Sequence, residues 1–591
     1  MKGDFHVRFR ENLRVKLPWV TRLLKKVLAT YLKELQNNFP AMSEREKSQF
    51  YKTVSFHFDL FNSFAVSPDN KNTSLLGDMY NHQLATKGML ITASLQLKSQ
   101  ILKSKDAELI DLYKTWVQKK EQIARAKKLS VAEKLKRNIN LEDLDNESNE
   151  LERTLSLKSE KFNATARQDL HTWQDVQAKL KKEEAAVEII RFRKYNSKFT
   201  VFTDTVYYAA LIIKAGTENS PALVLLENGN DLEKKYLKYY RNVIQQQKNG
   251  IEIDDKISYP QFWQKIGEQL KDVKKVYLSV DGFYNQVNLN TLINPATGKY
   301  LIDEIDIDIL TNTSDLIKAK SIKNSKPKKQ TASLIGFPNY NMSQGERHAE
   351  IKKEGIPISE PNELSTVSVR FAESMNTIKE LPGTKVEVES IGIILGNKKW
   401  EVKTLLNNAA LEENVKLMQG PTLFHIATHG FFEPDLENEL DAKNLKYENA
   451  LFRSGLLLAG SAERLYKKAN AVEVGEEVTE DGVLTAYEAM NIDLQNTELV
   501  VLSACETGLG EVTNGEGVYG LQRAFKVAGA EAIIFSLWKV DDAATQKLMT
   551  SFYNFWLTSG NKRDSFTKAQ LAIREQYKLP FFWGAFVLIG D

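Results

Sequence analysis

The chain has 591 residues, 42% of them hydrophobic and 27% charged, and its 80 basic against 77 acidic side chains leave a net charge of +3. That near balance gives no reason to expect nucleic acid or an anionic membrane as the main partner, and the length suits about three or four domains of ordinary soluble protein. A single cysteine, Cys505, excludes an intrachain disulfide and a thiolate zinc cluster and fits a reducing, cytoplasmic compartment. The first twenty residues never reach an apolar signal core, and no uninterrupted apolar run of about 18 residues follows, so neither export nor a membrane span is expected.

From residue 20 to about 184 the pattern is helical. Leu84, Ile91, Leu95 and Leu102 share a face, then Leu109, Tyr113, Trp116, Lys120 and Ile123, then Leu141, Leu144, Leu151 and Leu155, with Lys and Glu crowding the opposite faces. Such stripes cannot be buried alone, so residues 1–184 are expected to form an antiparallel helical array with a long hairpin. No convincing internal period near 34 residues appears, and the abrupt start fits a chain trimmed from a larger parent.

Near residue 185 the period changes. "AVEIIRF", "VYYAALII", "ALVLL" and "VYLSV" read as strands, and "PQFWQKIGEQL" as a helix, which makes 185–325 an accessory α/β unit. The basic "KNSKPKKQ" at 323–330 reads as a solvated connector. Residues 326–591 alternate strand and helix: "ASLIGF", "WEVKTLL", "TLFHIA", "LVVLSA" and "AIIFSLW" as strands, with "VEVESIGIIL", "ALEENVKLM", "GVYGLQRAFKVAG" and "ATQKLMTSFYNFWL" as helices. The expected class is a mostly parallel α/β sheet flanked by helices. "TAYE" at 485–488 is a capping box, and the charged, aperiodic stretch 461–481 is an inserted loop.

Two strands end in chemistry. "LVVLSA" runs into Cys505, and "TLFHIA" runs into His429 and Gly430, so an imidazole and a thiol are both expected at the carboxyl edge, where open α/β sheets place their active sites. If the strands are neighbours, the imidazole can take the thiol proton and free a thiolate for acyl transfer. The N–H groups of Gly430 and Cys505 would then form an oxyanion hole. The bland reading of Cys505 is a small buried hydrophobe, but its place at a strand end beside Gly508 and Gly510 speaks against that. His425 lies on a strand without the glutamate or helix of H-E-x-x-H, so a packed residue is expected there and not a zinc ligand. "GLGEVTNGEGVYG" lacks the Gly-Lys-Ser/Thr of a phosphate loop, Glu506 reads as a rim residue, and one of Asp541 and Asp542 should cap the helix they open.

"HIATHGFF", "ALFRSGLLLAG", "DGVLTAYEAMNIDLQNTELVVLSACETGLG" and "GVYGLQRAFKVAGAEAIIFSLWKVDDAAT", with "LPGTKVEVESI" upstream, resemble the successive blocks of the CHAT family, caspase-like clan CD cysteine peptidases common in bacteria. The resemblance covers roughly residues 258–591, and the helices before it resemble the tetratricopeptide-type arrays that precede this domain. It implies a caspase-like fold, a pseudo-caspase accessory half, His429 as general base and Cys505 as nucleophile. The two stand 76 residues apart and "SACETG" replaces the caspase signature, so caspase rules of maturation and aspartate specificity do not carry over. Similarity to the tryptophan block of separase implies an acidic S1 pocket at Asp542, with Asp541 beside it. A basic P1 residue would follow, although Lys539 stands near enough to neutralise the pocket. The expected function is a cytoplasmic endopeptidase without cofactor or metal, acting on a protein substrate. Its helical region would bind a regulatory protein, and the family implies a role in bacterial defence against a neighbouring, for example gasdermin-like, target. A catalytically silent adaptor on the same fold is the alternative, and a transpeptidase with the same dyad a further one.

Overall fold

A computed structural model describes residues 17–68, 70–127, 131–160, 170–196, 201–318, 329–356, 378–432, 450–462, 480–505, 507–508, 510–513 and 517–590. Most of the 323–330 connector and of the 461–481 loop, and Glu506, lie outside these residues.

Sixteen strands are present among the described residues: β1 (Glu184–Asn196), β2 (Val201–Lys214), β3 (Ala222–Leu226), β4 (Lys275–Ser279), β5 (Asp306–Leu310), β6 (Thr331–Pro338), β7 (Glu401–Asn407), β8 (Leu423–Ala427), β9 (Gly430–Phe432), β10 (Ser454–Leu457), β11 (Val483–Thr485), β12 (Leu499–Ser503), β13 (Glu511–Thr513), β14 (Gly517–Tyr519), β15 (Ala532–Ser536) and β16 (Phe586–Gly590). Eleven of them make one sheet in the order β3-β2-β1-β4-β5-β16-β15-β12-β8-β6-β7. Seven of its ten neighbouring pairs are parallel, the exceptions being β3–β2, β2–β1 and β16–β15. The accessory and C-terminal α/β stretches are therefore two halves of a single sheet, joined where β16 meets β5 at Ile589 opposite Ile309.

Both faces of the sheet are covered at its centre, where β8, β12 and β15 are fully buried, near-continuous apolar runs, whereas the edge strand β7 is largely exposed. Along β1, Ala185, Val187 and Ile189 face one core, and Ala186, Ile190 and Phe192 face another. The second core is closed by the helices Leu17–Asn38, Glu44–Ala65 and Ser74–Thr86. In the other half, the helices Pro382–Asn397, Asp542–Ser559 and Lys562–Tyr577 lie on one face and Leu521–Ala528 on the opposite one. The helix Glu44–Ala65 begins at a reciprocal capping box, Ser43 with Glu46, and "TAYE" forms another between Thr485 and Glu488.

The helical region differs from its sequence reading in one respect. Leu84 and Ile91 do not share a helix, because Gly88 adopts φ +69° and divides Ser74–Thr86 from Met89–Ser104. Leu84 then joins the core under β1 and β2, whereas Ile91 joins the core of the C-terminal half. The expected hairpin is formed by Ala107–Lys127 and Leu141–Glu160. It leans on the C-terminal half, where the Lys120 ammonium lies 5.1 Å from the centre of the Tyr487 ring. Further corrections concern short strands. "GVY" of the expected helix "GVYGLQRAFKVAG" is β14, the helix starting only at Leu521, and β5 and β16 extend the sheet beyond the strands read from sequence.

Candidate functional site

The chain leaves β6 for the edge strand β7 and then returns across β6 to β8, so the strand order reverses at β6/β8 and opens a crevice at the carboxyl ends. β8 and β12 are parallel neighbours, with Leu423 opposite Leu499 and Ala427 opposite Ser503. The Thr428 N–H extends the ladder to the Ser503 carbonyl at 3.2 Å. His429 and Cys505 each stand two residues beyond the last pair and so leave the sheet at the same level on adjoining strands. The two chain turns touch: a Cβ at position 430 would lie 2.6 Å from the Cys505 carbonyl oxygen, so only glycine fits.

Beyond His429, β9 pairs with β10, and the Leu457 N–H donates to the His429 carbonyl at 2.9 Å. Hydrogen-bonded and non-bonded pairs alternate along an antiparallel ladder, so the next pair, Gly430 with Leu456, turns the Gly430 N–H away from β10.

The His429 ring is half-buried. Its Nε2 lies 2.7 Å from the Lys379 carbonyl, and a carbonyl can only accept, so the proton sits on Nε2 and Nδ1 is the basic nitrogen. The Tyr340 ring is 5.3 Å away and is itself held by Thr428 Oγ1 at 2.9 Å. Burial lowers the His429 pKa, with the Lys379 carbonyl and the Asp542 charge opposing it. The shift favours the neutral form of the ring.

Cys505 is half-buried on a turn pinned to the end of β15. Gly508 N–H donates to the Ser536 carbonyl at 2.7 Å, Ser536 N–H donates to Thr507 Oγ1 at 3.0 Å, and Ser536 Oγ donates to the Ala504 carbonyl. A Cβ at Gly508 would meet the Phe535 ring at 2.3 Å. Three strand tips, β8, β12 and β15, therefore fix the thiol's backbone.

Asp541 and Asp542 have separate tasks. Asp541 caps the helix Asp542–Ser559, its Oδ1 accepting the Ala544 N–H at 2.9 Å. Asp542 accepts the Gly383 N–H at 3.2 Å, at the start of the helix Pro382–Asn397, and its charge reaches His429. Burial raises its pKa. The short segment 379–383 thus holds both the His429 ring and the Asp542 carboxylate.

His425 is fully buried two strand positions below Ala427. Its Nδ1 lies 3.0 Å from Tyr553 Oη and its Nε2 2.9 Å from Glu387 Oε1. Both ring nitrogens are thus engaged, which leaves none for a metal and ties β8 to the helices Pro382–Asn397 and Asp542–Ser559. A second cluster that could hold a cation, Glu412, Glu480 and Glu488, surrounds Lys416 Nζ at 2.8, 2.8 and 3.3 Å. The lysine ammonium stands where an ion would.

Sequence reasoning missed the Lys379 carbonyl, since a backbone acceptor has no side-chain signature. It also missed Glu387, whose signal was a lone carboxylate on the buried face of the apolar helix "VEVESIGIIL".

No helix among the described residues is long and apolar enough to cross a membrane. Among curated proteins, tetratricopeptide repeat protein 28 of Mus musculus is 33% identical over 111 residues, 18% of this chain and 4% of that protein. Its Homo sapiens counterpart is 32% identical over 111 residues, with the same coverage. The chain thus spans a small fraction of either relative. Among solved structures, the complex of Porphyromonas gingivalis RgpB pro- and mature domains gives a TM-score of 0.33 at 11% identity, over 61% of this chain and 77% of that chain. The Saccharomyces cerevisiae separase–securin complex gives 0.35 at 10% identity, over 96% and 40%. Neither superposition is close enough to pair residues one to one. Residues 259–591, more than half of the sequence, match the CHAT domain, and the chain, with its mostly parallel, helix-flanked sheet, belongs to that family.

Proposed function

We propose that the chain is a cysteine endopeptidase in which Cys505 is the nucleophile and His429 the general base. The observation that carries this is the common level of the two residues on adjoining strand tips, with the Lys379 carbonyl holding the His429 Nε2 proton so that Nδ1 is the basic atom. In the proposed reaction the Cys505 Sγ proton passes to Nδ1, and Sγ bonds to the scissile carbonyl carbon. The displaced π pair collects on the carbonyl oxygen, which faces the N–H groups of Gly430 and Cys505. The C–N bond then breaks as the Nδ1 proton goes to the leaving amine. Water, deprotonated by Nδ1, finally attacks the thioester and restores the thiol. No metal or cofactor enters these steps.

Asp542, with its raised pKa and its partly buried carboxylate beside His429, is proposed as the S1 determinant favouring Lys or Arg at P1. Asp541 is assigned no contact with substrate, because its carboxylate is the helix cap. The substrate would be a protein in the cytoplasm, a regulator would bind the helical region, and the role would be in bacterial defence, a reading supported by the family resemblance alone. The adaptor reading is favoured by no specific observation.

The test is covalent labelling by a peptide electrophile with Arg at P1, followed by intact mass. Labelling of the wild type that is absent in Cys505→Ala and suppressed in His429→Ala is expected. Equal labelling of all three proteins would sink the dyad, and equal rates with Arg and neutral P1 peptides would sink the S1 role of Asp542.

A further inference from the structure

The helical region, the accessory half and the C-terminal half meet around a cavity of about 40 Å³, room for roughly three water molecules. Three cationic side chains from separate segments share its wall: Lys87 before the Gly88 break, and Arg523 and Lys526 on the helix Leu521–Ala528. Asn285, Thr311 and Gln522 add polar groups, and no acidic side chain lines it.

Like charges around a small, poorly solvated space repel unless something answers them. Two are answered from behind. Lys87 Nζ donates to Glu188 Oε2 and to the Ile189 carbonyl, both at 3.0 Å, which takes two of its three donors. Arg523 Nη2 donates to Glu44 Oε1 at 3.1 Å. Lys526 Nζ donates to a neutral acceptor, the Glu531 carbonyl. Burial is the main cause that holds the Lys526 pKa down to about 8; the Asp315 charge opposes it, the Arg563 and Lys562 charges add to it, and Glu531 pulls least, upward. The cavity wall thus keeps positive charge that its surroundings only partly neutralise. The buried amide oxygen of Gln522 meets no donor, and turning that amide over would bring its NH₂ group to the same wall.

We propose that this cavity binds a tetrahedral oxyanion, a phosphate group either free or carried on a small metabolite, held by Lys87, Arg523 and Lys526. The helix that supplies two of these cations follows the β13–β14 hairpin, which itself follows the Cys505 turn. An anion here joins that helix to the carboxyl ends of β4 and β5 and to the helical region. It is therefore an effector site, separate from the crevice between β8 and β12.

The test is calorimetric titration and thermal unfolding of the full chain with inorganic phosphate, with phenyl phosphate, and with chloride at matched ionic strength. Saturable phosphate binding is expected, with a rise in Tm that chloride does not give. Lys526→Gln, on a half-buried side chain, should weaken phosphate at least ~10-fold, while Lys398→Gln on an exposed helix end leaves it unchanged. Binding of phosphate alone identifies a free anion; binding of phenyl phosphate as well identifies a carried group. Equal effects of phosphate and chloride, or unchanged affinity in Lys526→Gln, overturn the proposal. Neither readout requires peptidase activity, so failure here is distinct from failure of the Cys505–His429 assignment.

Discussion

The two halves of the sheet present the same kind of edge and treat it in opposite ways. At the end of β4, Asp281 accepts the Arg191 N–H at 3.0 Å and the Gly282 N–H at 2.8 Å. Tyr208 Oη accepts the Phe283 N–H at 3.1 Å and donates to Glu233 at 2.7 Å, and Arg191 Nη2 closes the circuit on Glu233 at 3.1 Å. A Cβ at Gly282 would strike Tyr208 Oη at 2.0 Å, so the crevice there is filled by the protein itself. At the ends of β8 and β12, by contrast, His429 and Cys505 stay half-buried, and the bonds that fix them come from backbone carbonyls and from neighbours that hold their turns. A carboxyl edge becomes scaffold when its polar side chains satisfy one another, and a candidate site when the backbone does that work.

Breaking each edge in turn tests this contrast. Cys505→Ala should lower kcat/KM for peptide cleavage by at least ~10³-fold with Tm unchanged. Asp281→Ala should do the reverse, costing about 1–3 kcal/mol in denaturant unfolding for the donors it strands while leaving kcat near wild type. His425→Leu removes the partner of the buried Glu387 carboxyl and of Tyr553, and about 3 kcal/mol should be lost. Gly430→Ala forces the His429 and Cys505 turns apart, and a fall of about 10²-fold in kcat is expected, read beside an unchanged far-UV spectrum.

Acid should separate the regions as well. Burial pushes the His82 pKa down to about 4, so between about pH 6.5 and 4 the unfolded chain binds a proton that the folded one refuses. Stability is therefore level above that window and falls as pH drops through it, by up to about 3 kcal/mol, an effect His82→Phe should flatten. The lowered pKa of His429 places the acid limb of kcat/KM below the ordinary histidine value. The smallest effect is that of Asp541→Ala, about 1 kcal/mol of stability from the lost cap, with P1 preference unchanged.

What could be read from the sequence follows from where information is stored. The placement of Cys505 and His429 at adjoining strand ends was legible because apolar strands announce their own ends. His425 was legible as a packed residue from its place within a strand. Lys379 was not, because its contribution is a carbonyl, and the partnership of Glu387 with His425 joins residues 38 positions apart. Among elements, β14 was absorbed into the helix after it, since "GVYGLQRAFKVAG" is apolar at either period. The pairing of β16 with β5 was not legible either, because Ile589 and Ile309 lie far apart in the chain and meet at a single register position. The break at Gly88 interrupts a heptad spacing that the residues on either side sustain.

That single meeting point has a bearing on assembly. Among the described strands β16 is last in chain order, yet it sits between the accessory half and the half bearing the thiol, so the sheet that spans them cannot close until residue 590 has emerged. Joining them is a late, long-range event, of the kind that slows folding. Loss of only those five residues should leave two half-sheets with facing open edges.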